Sequence, residues 1–212
     1  MAQDYHQAQR DFQDRFDTRR LADRLAESTT DVMSDHHRAF IEARDMFFIA
    51  TADADGRPQA SYKGGEPGFV RVVSDRQLVF PVYNGNGMYL TAGNLAVNPH
   101  VGMLFIDFVG GSRLRLTGEA SIDLGDDLVA TYPGAEFVVR VTASEVFANC
   151  RRYVHRYELV QRSPFVPVAD ADAPVPDWKL DPWFDGTLAA DDPAHDPSRP
   201  VAPSIPRFGA EG

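Results

Sequence analysis

The apolar positions along the chain change their period twice. From Ala8 to Ala26, Phe12, Phe16, Leu21 and Leu25 recur at three-to-five-residue spacing among many charges, which predicts an amphipathic helix. Ser28, Thr29 and Thr30 break it, and Thr30 or Asp31 can cap a second helix that runs to about Ala43 with Val32, Met33, His37, Phe40 and Ile41 on one face. After Asp45 the texture shortens to β-rich runs: Met46 to Thr51, Pro58 to Tyr62, Phe69 to Val73 and Gln77 to Val82. Asp53-Ala54-Asp55-Gly56 joins the first two as a hairpin turn. Met88 to Ala96 returns to helical spacing and stops before Asn98-Pro99. Two longer strands, Val101 to Phe108 and Arg113 to Ile122, meet at Gly110-Gly111. A short helix over Gly125 to Tyr132 precedes a buried strand at Phe137 to Val141.

These runs divide the 212 residues into a helical lead-in (1–45), a mainly β, antiparallel barrel or sandwich domain (46–162) and an extended strap and tail (163–212). Ten of the fifteen prolines lie from Pro164 onward, with nine acidic against three basic residues, a composition that cannot build its own core. Trp178, Trp183 and Phe184 mark the part up to Leu188 as an ordered strap; beyond Ala189 the expectation is disorder or an extended arm.

A net charge of -10 with no basic block argues against nucleic-acid binding, and no apolar run approaches the roughly 20 residues of a membrane span. With a single cysteine, Cys150, the fold needs no oxidising compartment. The expected setting is the cytoplasm.

Three constellations carry candidate chemistry. Tyr83-Asn84-Gly85-Asn86-Gly87-Met88 is a strand-to-helix junction whose backbone N–H groups can cradle an anion, or else a turn with an Asn helix cap. Arg113 and Arg115 share one strand face, as an anion site or a solvated surface. Asn149 to His155 gathers donors, an aromatic ring and an imidazole, equally readable as a surface turn. His36 and His37, about 100° apart on a helix, are not a metal pair. No metal site is expected.

In this order, the strands, junction and arginine pair resemble the pyridoxamine 5′-phosphate oxidase-like family, the FMN-binding split barrels. The resemblance rests on Phe48 to Asp53 with Asp55-Gly56-Arg57-Pro58, Leu78-Val79-Phe80-Pro81, Gly85-Asn86-Gly87-Met88, Asn94-Leu95-Ala96 with Asn98-Pro99, Leu104-Phe105 and Arg113 to Gly118. It implies a split β-barrel homodimer that holds FMN, or in related barrels a deazaflavin, at the subunit interface. By position, Ser61, Tyr62 and Lys63 pass beside the ring and phosphate, and Phe80, Pro81 and Val82 offer backbone groups to the ring. Asn86, Gly87 and Met88 fall at the phosphate. Arg113 reaches in from the other subunit, and Arg152 and Tyr153 contribute near cofactor or substrate. Tyr153 and His155 are the candidate proton donors. The family's Arg-Lys phosphate pair is Gly87-Met88 here, and its substrate-phosphate residues are missing. The implied activity is a flavin-dependent oxidoreductase acting on a small organic substrate other than pyridoxamine phosphate; a deazaflavin-dependent reductase and a non-catalytic flavin-binding or carrier protein are the alternatives.

Overall fold

The computed structural model describes residues 4–169 and 171–204; Asp170 and the last eight residues of the tail lie outside the described residues. The chain divides into two compact units, Met1–Glu158 and Leu159–Gly212.

The first unit opens with α1 (Gln7–Arg15), α2 (Arg19–Ala26) and α3 (Asp35–Glu42). The single helix expected over 8–26 is two helices, because Asp17 turns into the left-handed region at φ 51. The face expected to be buried is not: Phe12, Phe16, Leu21 and Leu25 are 57–67% exposed. α3 starts at Ser34 rather than Thr30 or Asp31. Ser34 caps it by accepting from His37 N, and Thr30 instead bridges to Val146.

Seven strands follow: β1 (Met46–Ala52), β2 (Pro58–Gly64), β3 (Arg71–Val72), β4 (Gln77–Tyr83), β5 (His100–Asp107), β6 (Ser112–Asp123) and β7 (Ala135–Asn149). A fourth helix, α4 (Leu90–Val97), lies between β4 and β5, and a 3-10 turn (Asp127–Thr131) lies between β6 and β7. The sheet order is β2-β1-β5-β6-β7-β4-β3, and every pairing in it is antiparallel. This is the mainly β, split-barrel class. β2 and β3 are its two edges, so the barrel is open along that side.

Alternation sets which face is inside. Phe47, Ile49, Met103, Phe105, Leu114 and Leu116 all point to one core, and Phe47 stands at its centre with the rings of Phe69, Phe80 and Phe105 5.0–5.8 Å away. The short strand expected at 137–141 is the 15-residue β7, the longest element, which pairs with both β6 and β4.

The second unit contains a short parallel pair, Val175–Pro176 with Val201–Ala202, and three 3-10 turns. The expectation of disorder or an extended arm after Ala189 is therefore corrected for residues up to Ser204. What replaces an apolar core is polar. Lys179 Nζ contacts Asp192 Oδ2 at 2.6 Å, with their side chains 4% and 7% exposed, and Trp178 and Trp183 both pack on Phe184. Among the described residues no helix is long and apolar enough to cross a membrane.

Candidate functional site

A recess of about 270 Å3 opens between edge strand β2, the end of β4 and the start of α4. Each wall is set by register. On β2, Gln59, Ser61 and Lys63 pair with Thr51, Ile49 and Phe47 and so share the inward side of the sheet. Lys63, on the edge, is one of the residues lining the recess. It is half-buried, and burial pushes its pKa below the ordinary lysine value. Among the described residues it has no ion-pair partner.

The opposite wall is the loop 84–89. Gly87 takes φ 72, which its missing side chain allows, and Asn86 Oδ1 accepts from Met88 N at 3.1 Å. Asn86 therefore folds the loop and does not cap the helix, contrary to the Asn-cap reading of the junction. The cap position is Tyr89, at φ 45 with no side-chain cap. Glu136 holds both ends of this loop, accepting from Asn84 Nδ2 at 3.1 Å and from the Tyr89 hydroxyl at 2.8 Å.

α4 is docked by Leu95, buried in the core, and by Asn94, whose Nδ2 donates to Thr51 Oγ1 at 3.0 Å and Gln59 Oε1 at 3.2 Å. Thr91, in its first turn, meets Ser61 hydroxyl to hydroxyl at 3.2 Å. Leu90, Thr91 and Ala92 of that turn line the recess; the first N–H groups of a helix have no intrahelical acceptor, and a helix start favours an anion. Among the described residues no acidic residue lines the recess, in a chain with 31 of them.

The structure thus gathers Ser61, Tyr62, Lys63, Val82, Asn86, Gly87 and Met88 around one cavity. Phe80 and Pro81 are buried within β4, where both pair with β7, and neither lines it. Arg113, Arg152, Tyr153 and His155 also lie outside the recess of their own chain. Arg113 Nε donates to the Cys150 carbonyl at 2.9 Å, Tyr153 is 92% exposed, and His155 is exposed with its ring 6.5 Å from that of Tyr157. Sequence reasoning missed Gln59, Tyr89 and Thr91. The polar Gln59 and Thr91 on otherwise inward-facing positions were a usable signal; nothing in the sequence singled out Tyr89. Among the described residues there is no group of three or more potential metal ligands.

An open antiparallel barrel with an anion-favouring recess at the start of a short helix defines a class of cofactor-binding split barrels. Within it, the family model for pyridoxamine 5′-phosphate oxidase matches residues 33–157, and the chain belongs to that family. No curated protein matches the chain. Among solved structures, HupZ of Group A Streptococcus aligns at 17% identity over 59% of this chain and 98% of that one, with a TM-score of 0.46. An FMN-binding protein from Syntrophomonas wolfei aligns at 11% identity over 68% and 95%, TM-score 0.41. The heme storage protein HutZ from Vibrio cholerae aligns at 20% identity over 55% and 94%, TM-score 0.41.

Proposed function

We propose that the protein binds FMN in this recess and acts as a flavin-dependent oxidoreductase on a small organic substrate, without being a pyridoxamine 5′-phosphate oxidase itself. The observation that carries the reading is the acid-free recess with one half-buried, unpaired ammonium, Lys63, across from the first turn of α4. A phosphate needs charge-assisted donors in a place free of carboxylates, and these groups fit it. Lys63 and the backbone N–H groups would hold the phosphate in place of the basic pair that Gly87-Met88 lacks. Val82, Val139 and Ala92 give the apolar wall a ring needs, and the Ser61 and Thr91 hydroxyls stand between the two. The flavin, when bound, supplies the hydride or electron transfer; the chain binds it, orients it and keeps water from its buried side.

The recess is at or below the small end of the about 300–1,000 Å3 usual for small-molecule pockets, which supports completion by a second copy. A homodimer is part of this reading. On the outer sheet face, Tyr62, Phe48 and Leu104 stand in one row across β2, β1 and β5, with Tyr62 61% and Phe48 38% exposed.

The test is purification followed by separate titration with FMN and with a deazaflavin. A yellow protein, or FMN binding at micromolar concentration, supports the reading. Tight deazaflavin binding without FMN binding would replace it with the reductase on the same fold. A folded protein that binds neither would sink both.

A further inference from the structure

Charge is segregated in the first unit. Among the described residues, Arg10, Arg19, Arg20, Arg24, Arg38, Arg44, Arg57, Arg76 and Arg140 each meet a carboxylate. Arg15, Arg71, Arg113, Arg115, Arg151, Arg152 and Arg156 are in no such pair; Arg71 is held by Thr131 and Tyr132, Arg15 ends α1, and the other five lie at one end of the sheet. Arg113 and Arg115 alternate on β6, so they share a face. Arg151, Arg152 and Arg156 belong to the segment that leaves β7. That segment runs back along the same end, where Tyr157 N donates to the Phe108 carbonyl at 3.2 Å and its ring meets Phe108.

Two of these guanidiniums are held in a specific way. Arg113 Nε donates to the carbonyl oxygen of Cys150 at 2.9 Å, and Arg152 Nε approaches the Cys150 sulfur at 3.3 Å. Each arginine is anchored through its inner nitrogen, on two atoms of one residue. The four terminal N–H donors of each are left without an acceptor among the described residues. An anchored Nε with an open terminal fork is the arrangement that takes a phosphate oxygen pair, and little side-chain freedom remains to be lost.

We propose that Arg113 and Arg152 form a second anion site, whose ligand is a small molecule carrying two linked phosphate groups. Two forks on one anchor residue match two adjacent anionic centres. The overall charge of -10 disfavours an extended polyanion such as nucleic acid and leaves a compact one to the local field. Arg115 on the same strand face adds charge at its edge. None of these arginines lines the recess of its own chain, and Cys150 holds the Arg113–Arg152 pair together within one chain.

Cys150 gives the site a built-in reporter. It is the single cysteine and is exposed, and the Arg152 guanidinium beside it holds its thiol below the ordinary cysteine pKa, with Arg113 adding to the effect. A phosphate on the two forks would cancel that field and return the thiol toward its ordinary value, slowing its alkylation.

The test uses the full chain without flavin, with inorganic pyrophosphate and ADP as probes in calorimetry, and iodoacetamide alkylation as the second readout. Pyrophosphate is expected to bind more tightly than orthophosphate, to slow alkylation of Cys150, and to lose about tenfold or more in affinity in Arg113→Ala/Arg152→Ala. Arg15→Ala, which removes the same charge from α1, is expected to leave it unchanged. Tighter binding of ADP would extend the ligand to a nucleotide, and equal binding would confine it to the phosphates; both support the site. Equal loss in Arg15→Ala, no protection of Cys150, or tighter binding of a single-stranded oligonucleotide than of pyrophosphate would overturn it.

Discussion

Tyr132 shows how far a single side chain can depart from what its sequence context suggests. It closes a short helical run ahead of Pro133-Gly134, a place usually at the surface. Instead it is 4% exposed in a small cluster with Val79 and Val138, with the Arg71 guanidinium 3.8 Å above its ring. Its hydroxyl is buried and has no hydrogen-bond partner among the described residues. Burial pushes its pKa up to about 12, against the opposing pull of Arg71. Tyr132→Phe is expected to raise stability by about 1 kcal/mol, since an unsatisfied buried hydroxyl costs about 1–3 kcal/mol. Because the folded value lies above the unfolded one, the tyrosine's contribution is complete below about pH 10 and is lost as pH rises toward 12. The variant should therefore show a flatter alkaline limb in denaturant midpoints measured against pH. A loss of about 1 kcal/mol would show that the hydroxyl has a partner. Lys63, by contrast, was legible at the residue level: it is one of only two lysines and sits on a strand where the family resemblance placed it.

At the scale of elements, the legible strands are those whose period-two alternation and turn residues agree. Asp53 accepts from the N–H groups of Asp55 and Arg57, Gly56 takes φ 80, and β1 and β2 meet in the register such a hairpin implies. β7 was read at a third of its length for a physical reason. Its buried positions run Val139, Val141 and Ala143, then skip to Val146, because Ser144 is an extra residue opposite the Thr117–Gly118 step of β6. The bulge flips the phase of alternation, so a single strand looks like an end followed by a polar loop. Gly118 makes the bulge possible: a Cβ there would collide with the Thr142 carbonyl. Gly118→Ala is expected to lower stability by about 1–3 kcal/mol, seen as a lower denaturant midpoint. No change would mean that β6 and β7 can separate at this point without cost. The split of the first helix at Asp17 was illegible because its apolar spacing continues through the break, and only the positive φ reveals it.

For the whole molecule, the tail changes most. Its composition argued against a core, and by apolar area that holds among the described residues, where Val175 alone of the tail's apolar residues is in the buried core set. The unit is instead organised around a buried ion pair. Burial alone would raise the Asp192 pKa, but the hydrogen bond and charge of Lys179 outweigh it and hold the carboxyl below its ordinary value. Removing the Asp192 carboxylate takes away the 2.6 Å contact that holds the Lys179 ammonium inside the unit. Asp192→Ala is expected to open residues 159–204 to limited proteolysis while the first unit keeps its own transition, as two compact units allow. Unchanged protection of the tail would show that the pair does not hold it. The recess sits in a nearly neutral stretch, since residues 46–162 carry twelve acids against eleven bases, while nine acids face three bases from Pro164 onward.

The central claim is that this recess takes a flavin phosphate on Lys63 and the first turn of α4. Titration of FMN into flavin-free protein, compared between the native chain and Lys63→Ala, tests it directly. Binding is expected to be micromolar or tighter and to weaken about tenfold or more in the variant, the worth of one charge-assisted hydrogen bond. Equal affinity in the two proteins, both folded, would contradict it.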